Sequence, residues 1–425
     1  MEKERALIVG IHTNEMTDYE FELSMTELED LCEACDMEAV ASIRQHLDMP
    51  NKALYIGSGK LEEVKEIYVD EKCDVLIFDN TLSPMQIRNI QNFVQCPVMD
   101  RTGLILEIFE RRARSMEARL QVEVAKLQYM LPRLVGLHEA LSRQGGTSGS
   151  RSSRGAGEKK LELDRRKLSA RLTRLKAQLR EVKKEHLTQR KKRAEAQDIR
   201  VAFVGYTNAG KSTLMNAMID LYYAGGIATE KTVFEKDMLF ATLDTTTRQI
   251  KPKNHRKMLL SDTVGFISHL PHDLIEAFRS TLDEALEADV LVHVIDASDE
   301  NHDAQIKVTE DTLYSLGASD IPTIRVYNKA DLIAETEKLP RITGSHIYLS
   351  AKQKIGMDEL LSMIEDSLAA ASVEVNLLLP YNESRIASYI CDSYAAAAIE
   401  YTEEGIHVHA WISKQDYQRY QAYVQ

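Results

Sequence analysis

Over the first hundred residues the chain alternates between apolar runs at strand spacing and apolar positions at helix spacing. Short apolar runs predict strands at 6–10, 53–57 and 75–78. Apolar residues that recur at three- and four-residue steps predict helices over 61–69 and 84–93. Strands that alternate with helices indicate a small α/β domain, which we place at residues 1–102.

The next section is helical in pattern and is interrupted by one stretch without core positions. Apolar residues recur at helix spacing through 103–142, and again at near-heptad spacing over 161–190. Between them, the Gly-, Ser- and Arg-rich composition predicts a flexible basic loop at 143–158. The simplest geometry is an antiparallel helical hairpin at 103–198, with arms of ~45 Å. The alternative is a coiled coil between molecules with a disordered joint.

From residue 199 strands and helices alternate again. The pattern predicts four strands and two helices, at 199–204, 258–260, 323–327 and 346–349, and at 212–221 and 357–370. We assign them to a third domain at 199–372. A helix over 383–399 and a strand over 405–411 predict a small C-terminal α/β domain at 373–425.

A glycine-rich stretch with the spacing G-x-x-x-x-G-K-S stands between the strand at 199–204 and the helix at 212–221. The two glycines let the backbone wrap a triphosphate, so that N–H groups point inward at a helix N-terminus. Lys211 is expected to reach the β- and γ-phosphates, and Ser212 to hold Mg²⁺. The predicted phosphate-binding residues are Gly205, Asn208, Ala209, Gly210, Lys211, Ser212, Thr213 and, further along the chain, Gly265.

A second motif, Asn328-Lys329-Ala330-Asp331, follows a predicted strand and is expected to select the base of the bound nucleotide. Asp331 can accept hydrogen bonds from N1–H and the exocyclic amine of guanine. Adenine offers neither donor, so it would leave a buried carboxylate unpaired, and such sites discriminate by ~10⁴-fold. The predicted guanine-binding residues are Asn328, Lys329 and Asp331, with Ser350, Ala351 and Lys352 contacting the guanine oxygen through the backbone.

Two further segments are expected to sense the γ-phosphate. Asp262 ends an apolar run and is positioned to hold Mg²⁺ from the far side, and the amide of Gly265 is expected to contact the γ-phosphate. Thr246, with Thr245 as the alternative, is expected to close over Mg²⁺. The predicted magnesium ligands are therefore Ser212, Thr246 and Asp262. Ordering and release of these segments is the expected conformational output.

Position 266, directly after Gly265, is phenylalanine. Many GTPases place a glutamine there to orient the attacking water, and Phe266 cannot do so. We therefore expect slow intrinsic turnover that a partner or a cation completes, and we assign no catalytic residue. Asn208 is a candidate ligand for K⁺; the alternative is a loop residue that bonds its own backbone.

Composition sets the remaining bounds. The chain has 425 residues and five cysteines, an odd number that suggests a reducing compartment, and no apolar run approaches the ~18 residues that span a membrane. We expect a cytoplasmic monomer that does not bind membranes. Cys32-x-x-Cys35 lies in a helical pattern without a second pair nearby, which favours two half-buried helix residues over a redox or zinc site. Gly57-Ser58-Gly59-Lys60 has the wrong glycine spacing for a phosphate loop and indicates a turn that opens a helix.

The net charge of −13 is unevenly distributed. Residues 151–200 carry 18 basic and 7 acidic residues, a net charge of +11, whereas the remainder carries −24. A basic segment on an acidic body is typical of a polyanion-binding element, and a solvated helix face is the alternative. The candidate RNA-contacting residues of the loop are Arg143, Arg151, Arg154, Lys159 and Lys160.

With these motifs in view, the chain resembles the HflX family of translational GTPases over nearly its whole length. The specific pieces are 100–106, 120–123, 129–134, 161–166, 205–212, 262–266 and 270–274. The resemblance implies an α/β multidomain protein, in which an N-terminal α/β domain, a helical hairpin linker, a phosphate-loop GTPase domain and a small C-terminal α/β domain follow in order. It also implies GTP and GDP as ligands, binding to the large ribosomal subunit with the linker loop near the peptidyl transferase region, dissociation of ribosomes, and stimulation of hydrolysis by ribosomes.

The chain departs from the family pattern at the loop. The family commonly reads G-G-I-G-T-R-G-P-G-E-T-Q-L-E, whereas here a longer Ser-rich stretch follows Gly146, Ala156 replaces proline, and Lys159-Lys160 replaces Thr-Gln. This difference raises the alternative of a paralogue that protects ribosomes from antibiotics, or neutral drift. A GTPase of ribosome assembly or RNA modification and a nucleotide-gated protein scaffold remain further alternatives.

Overall fold

The computed structural model describes residues 3–143, 163–182, 184, 199–222, 240, 246–253, 255–268, 274, 284–370, 373–394, 397–412 and 414–425. In the first half of the chain, the elements are β1 (Glu4–His12), α1 (Asp18–Ala34), β2 (Met37–His46), α2 (Ser58–Asp70), β3 (Val75–Phe78), α3 (Pro84–Val94), β4 (Val98–Asp100), α4 (Arg101–Arg112), α5 (Met116–Arg143) and α6 (163–182). They continue with β5 (Ile199–Gly205), α7 (Lys211–Tyr222), β6 (Thr246–Ile250), β7 (Met258–Asp262), β8 (Val290–Asp296), α8 (His302–Leu316), β9 (Thr323–Asn328), β10 (Arg341–Thr343), β11 (His346–Tyr348), α9 (Met357–Ala370), β12 (Val373–Leu379), α10 (Ser384–Ser393), β13 (Ala398–Thr402), β14 (Gly405–Ile412) and α11 (Lys414–Tyr420).

The N-terminal strands form a four-stranded parallel sheet in the order β2-β1-β3-β4. All four residues of β3 are buried, because a parallel sheet in an α/β protein is covered by helices on both faces. Helix α1 begins at a capping box, in which Thr17 and Glu20 satisfy each other's backbone N–H groups. The predicted α/β character of this region is confirmed.

The predicted strand at 53–57 is wrong. The side chain of Asn51 accepts hydrogen bonds from the N–H groups of Ala53 and Leu54, at 2.8 and 3.0 Å, which folds this stretch into a turn. Tyr55 then has a left-handed φ of 67°, which a strand does not allow. The sequence analysis did not predict strand β2. Its buried and exposed residues do not alternate regularly, so it lacks the period-two pattern by which strands are recognised.

The helical pattern at 103–142 folds into two helices rather than one. Helix α4 is capped by Asp100, whose side chain accepts a hydrogen bond from the N–H of Gly103 at 2.8 Å, and it ends at Arg112, before α5 begins. Helices α5 and α6 pack through one apolar cluster that consists of Leu120, Val124, Leu127, Leu168, Leu172, Leu175, Leu179 and Val182.

The contacts of α5 and α6 run in opposite directions along the two helices. Glu123, early in α5, forms an ion pair with Arg171, whereas Leu131, later in α5, lines a groove with Arg165, which comes earlier in α6. The two described arms of the predicted hairpin therefore pair antiparallel. Of the loop at 143–158, only Arg143 lies within the described residues, as the last residue of α5.

A seven-stranded sheet in the order β10-β11-β9-β8-β5-β7-β6 carries the nucleotide-binding motifs. Its five central strands are parallel, and the edge strands β6 and β10 are antiparallel to their neighbours. The carboxyl ends of parallel strands lie at the same edge of a sheet, so the ends of β5, β7, β8 and β9 bring their following residues together.

The C-terminal strands form an antiparallel sheet in the order β12-β14-β13. The predicted helix over 383–399 is too long, since α10 ends at Ser393 and Ala398 already pairs with His409 in β14. Sheet pairing overrides the helix propensity of the alanines here. His409 makes a hydrogen bond with Glu374, and the described residues contain no group of three or more His, Cys, Asp or Glu side chains that could hold a metal ion.

Contacts divide the chain into two compact units. One holds the described residues of 1–188, 234–244 and 264–282, and the other holds those of 189–233, 245–263 and 283–425. The finer division into four domains therefore stays a prediction. Within the described residues, no helix is long and apolar enough to cross a membrane.

Candidate nucleotide-binding site

The loop between β5 and α7 has a backbone that only glycine fits at two points. Gly205 has a φ of 145°, and a Cβ there would lie 2.2 Å from the carbonyl oxygen of Val294 in the neighbouring strand. Gly210 has a φ of 90°, and its Cβ would lie 2.2 Å from Nδ2 of Asn328. Both glycines are thus required by the path of the backbone, as expected for a loop that turns its N–H groups inward.

Lys211 is buried at the start of α7 and lies over the loop that it follows. Its Nζ donates hydrogen bonds to the carbonyl oxygens of Gly205 and Tyr206, at 3.1 and 2.7 Å. Burial lowers the pKa of Lys211 to about 8, and the nearby carboxylate of Asp262 partly opposes this effect. An anion bound at the loop would therefore stabilise the charged form of the Lys211 amine.

Oxygen donors of α7 and β7 meet near this lysine, and a third residue lies opposite one of them in the sheet. The Oγ of Ser212 donates a hydrogen bond to Oδ2 of the fully buried Asp262 at 2.6 Å, and Thr246 in β6 pairs with Asp262 in the sheet register. Ligand oxygens around octahedral Mg²⁺ lie about 3 Å apart when each is at ~2.1 Å from the ion. The hard oxygen donors and the separation of Ser212 and Asp262 therefore fit magnesium.

Asn328 connects the phosphate loop with the third predicted segment. Its Nδ2 donates to the carbonyl oxygen of Ala209, and its Oδ1 accepts from the N–H of Ala351, both at 3.0 Å. Asn328 is 2% exposed, so these bonds are shielded from water. The structure thus joins the phosphate loop to Asn328, which lies 119 residues further along the chain than Ala209, and to Ala351, a further 23 residues along.

The residues after Asn328 include the predicted guanine-binding residues Lys329 and Asp331. Lys329 has a left-handed φ of 58°, and its Nζ forms an ion pair with Oδ2 of Asp296 at 2.7 Å. Asp331 lies in a short 3₁₀ helix (Ala330–Leu332), and its Oδ2 accepts a hydrogen bond from Gln353 at 3.4 Å. Ser350 is buried and its Oγ accepts from the N–H of Gln353 at 3.2 Å, next to Ala351 and Lys352.

Sequence reasoning missed Asp296 and Gln353, which hold two of the predicted residues. Asp296 ends β8 directly opposite Asn328 in the parallel register, so its position at a strand end was a usable signal. Gln353 lies in a turn, and no local pattern distinguishes it.

The segment after Gly265 belongs to the first unit and is described with it. Gly265 is buried, and the side chains of Phe266 and Ile267 are both 2% exposed. A buried phenyl ring offers no hydrogen bond to a water molecule, which agrees with the absence of a water-orienting glutamine.

Four predicted RNA-contacting residues, Arg151, Arg154, Lys159 and Lys160, lie outside the described residues. Cys32 and Cys35 are both buried, and burial raises their thiol pKa values to about 12 and about 11. Reactive thiols have lowered pKa values, so this pair has the character of core residues.

Comparison with known proteins agrees with this site. Three family models match consecutive parts of the chain: the N-terminal region of GTP-binding GTPases at residues 22–110, their middle region at 112–193, and the 50S ribosome-binding GTPases at 200–329. The loop, the lysine and the matched models define a phosphate-loop GTPase, a protein that binds GTP and hydrolyses it.

Individual relatives identify the family of GTPases more narrowly than the family models do. The chain is 43% identical over 412 residues to the GTPase HflX of Caldanaerobacter subterraneus subsp. tengcongensis, which covers 97% of this chain and 92% of the relative. It is 38% identical over 403 residues to the GTPase HflX of Escherichia coli strain K12, with 93% and 90% covered. The chain therefore belongs to the HflX family of GTPases. Among solved structures, a complex of the protein SsGBP with GDP is 25% identical, with 85% and 98% covered and a TM-score of 0.46.

Proposed function

We propose that this GTPase binds the large ribosomal subunit and promotes the dissociation of stalled or idle ribosomes under stress. The residues of the loop at 143–158 would contact ribosomal RNA near the peptidyl transferase region. The observation that supports this proposal is the antiparallel pairing of α5 and α6, the described helices that precede and follow the basic loop in the sequence.

The surface of α6 supports the same proposal. Its apolar face packs against α5 through Leu175, whereas basic side chains occupy the exposed positions Arg165, Arg166, Lys167, Arg171, Arg174 and Arg180. Arginines on such an element can stack on bases and bridge phosphates. The match to the family described as 50S ribosome-binding GTPases supports a ribosomal partner rather than another RNA.

For the chemistry, we propose in-line attack of water on the γ-phosphate. Lys211 would hold the β- and γ-phosphates, Asp331 would accept the guanine N–H groups, and the amide of Gly265 would contact the γ-phosphate. Mg²⁺, held by Ser212, Thr246 and Asp262, would neutralise the charge that develops on the phosphate oxygens. The convergence of Ser212 on Asp262 supports this set of ligands.

Asn208 is our candidate ligand for K⁺. It is exposed at the turn of the loop with a left-handed φ of 61°. We expect hydrolysis to be faster in potassium than in sodium buffer, and Asn208→Ala to remove that difference. Equal rates in both buffers would remove K⁺ from the proposal.

The first experiment measures GTP hydrolysis with purified large subunits for the intact chain and for a variant that lacks 145–157. We expect strong stimulation that the deletion abolishes. A variant that keeps the loop length but replaces Arg151, Arg154, Lys159 and Lys160 by alanine separates charge from length. Absence of stimulation for the intact chain would refute the large subunit as the activator.

A second assay separates the proposed function from its nearest competitor. If the protein acts on finished ribosomes, addition with GTP converts intact ribosomes into subunits in a sucrose gradient. A GTPase of ribosome assembly or RNA modification would bind large subunits or other RNA and leave intact ribosomes unchanged. The longer, more basic loop motivates a third assay, which measures whether the protein displaces a ribosome-targeting antibiotic from the ribosome.

A further inference from the structure

The largest fully buried side chain of the described residues is a charged one, Arg101 at the start of α4. Its Nη1 forms an ion pair with Oδ1 of Asp79 at 2.6 Å, and its Nη2 forms an ion pair with Glu27 of α1. The Oγ of Ser24 donates to the other oxygen of Asp79 at 2.7 Å. Burying three charges in a small domain is costly unless each is held in good geometry, so this cluster needs an explanation beyond stability.

The cluster holds the segment that follows Gly265. The Nη2 of Arg101 donates a hydrogen bond to the carbonyl oxygen of Ser268 at 3.2 Å. The N–H of Ser268 donates to Oε1 of Glu27 at 3.3 Å. Both polar backbone groups of Ser268 therefore end on one buried ion pair. All of these residues belong to the same compact unit.

Charge balance makes this contact energetically significant. Two carboxylates share one guanidinium, and the formal charges of these three groups sum to −1. The N–H of Ser268 contributes a donor to Glu27, and hydrogen bonds to charged groups are worth more than neutral ones. Moving Ser268 away would remove one hydrogen bond from the buried carboxylate of Glu27. Losing a hydrogen bond to a buried charged group costs more free energy than losing one between neutral groups.

A second contact joins the same helix to a residue that precedes Thr246 in the sequence. Phe109 of α4 packs edge to face against Phe240, with ring centroids 4.8 Å apart, and Phe240 is 2% exposed. Phe240 precedes Thr246 by six residues. Helix α4 thus contacts Phe240, which precedes the proposed sensor Thr246 in the sequence. It also contacts Ser268, which follows the proposed sensor Gly265.

We infer that the Arg101–Glu27 pair is a clamp on the second γ-phosphate-sensing segment, and that it lowers the preference of the protein for GTP over GDP. Only two residues separate Gly265 from Ser268, so a displacement of Gly265 toward the γ-phosphate is transmitted to the clamp. Binding of GTP then strains the hydrogen bonds of Ser268 with Arg101 and Glu27, whereas binding of GDP leaves them intact. By linkage, weakening the clamp strengthens GTP binding selectively. The inference rests on the role of Gly265 in the proposed function.

The test compares the dissociation constants of GDP and of a non-hydrolysable GTP analogue in two variants. Glu27→Gln keeps the shape of the side chain and removes its charge. Arg101→Lys keeps the charge next to Asp79 and removes the forked donor that reaches Ser268. We expect the ratio of the GDP constant to the analogue constant to rise about tenfold in each, with GDP affinity nearly unchanged. Only folded protein binds nucleotide, so the ratio is insensitive to partial misfolding.

Glu22→Gln is the matched control, because Glu22 also lies on α1 but is exposed and pairs with Arg44 at the surface. Hydrogen exchange at the amide of Ser268 gives an independent measurement, and we expect faster exchange with the analogue than with GDP. A ratio that stays within twofold of the wild type in both variants, or that falls, would overturn the clamp.

Gly265→Pro, which removes the amide N–H proposed to contact the γ-phosphate, separates failure of the clamp from failure of the proposed function. If this variant binds the GTP analogue as well as the wild type does, Gly265 is not the γ-phosphate contact and the proposed assignment is wrong. If it weakens analogue binding while the Glu27 and Arg101 variants leave the ratio unchanged, only the clamp is wrong.

Discussion

Two helices of this chain open with the same residue types, and only one of them follows a phosphate-binding loop. Helix α7 begins at Lys211, after two glycines whose φ angles of 145° and 90° no other residue adopts comfortably. Helix α2 begins at Ser58, with an ordinary φ of −66° at Gly57 and open space around Gly59. The two segments share glycine, serine and lysine but not the backbone path.

The lysines differ in the same way. Lys211 is buried and donates to two carbonyl oxygens of the loop that it follows. Lys60 forms a surface ion pair with Glu63, three residues along its own helix, at 2.7 Å. Such surface pairs contribute little to stability. The comparison teaches that a phosphate site depends on the spacing that forces the turn, and that composition alone does not create it.

The largest expected effect is at the lysines themselves. We predict that Lys211→Ala weakens GTP binding by about a thousandfold, because the β- and γ-phosphates lose the buried charge that faces them. Lys60→Ala should leave GTP affinity unchanged within twofold. Titration with a fluorescent GTP analogue measures both. Tight GTP binding by the Lys211 variant would contradict the assignment of the loop.

Base recognition extends the comparison, since nothing in the N-terminal sheet corresponds to Asp331. We predict that Asp331→Asn lowers the preference for guanine by about a hundredfold, because an amide accepts one hydrogen bond where the carboxylate accepts two. The variant should gain relative affinity for xanthosine triphosphate, whose ring carbonyl can accept from the new amide. Competition among GTP, ATP and xanthosine triphosphate measures the change. Unchanged selectivity would place base recognition elsewhere.

Replacing a glycine by alanine should have smaller effects, and the change in stability should have opposite signs in the phosphate loop and in α2. We predict that Gly210→Ala weakens GTP binding about tenfold and lowers the melting temperature, because its Cβ meets Asn328 at 2.2 Å and its φ is left-handed. Gly59→Ala adds a good helix former at an open position, and should stabilise α2 by up to ~1 kcal/mol without changing GTP affinity. Thermal unfolding with and without GDP tests the pair. A neutral Gly210 variant would mean that the loop can relax around a side chain.

These contrasts also show what the sequence could and could not reveal. The nucleotide site was predictable because each of its motifs is short, lies at a strand end and has a fixed spacing, as at 205–212 and 328–331. The clamp was not, since Arg101 and Ser268 lie 167 residues apart and no periodicity connects them. Local propensity failed at Asn51, where the side chain bonds nearby backbone N–H groups and makes a turn, and at the strand that begins with Ala398, where sheet pairing decided the outcome.

The last contrast concerns buried ionisable groups, and its expected effect is confined to acidic pH. The N-terminal region buries Arg101 of helix α4 with carboxylate partners. The GTPase sheet buries His293, and this burial lowers the pKa of His293 to about 3, with help from the positive charges of Arg325 and Lys211. Between about pH 6.5 and pH 3 the unfolded chain therefore binds a proton on this histidine that the folded chain does not. The free energy of unfolding should fall as the pH falls through this window, and remain unaffected by this group above about pH 6.5.

His293→Leu removes this proton and should flatten the pH dependence. We predict that the difference in unfolding free energy between the wild type and the variant changes with pH by at most one proton's slope, about 1.4 kcal/mol per pH unit, between pH 4 and 6.5. Denaturant unfolding at several pH values measures it, and the difference between the two proteins cancels the carboxylates that titrate in both. Parallel curves would show that His293 takes up its proton in the folded sheet, and that the central strand β8 tolerates a charge beside the phosphate-binding loop.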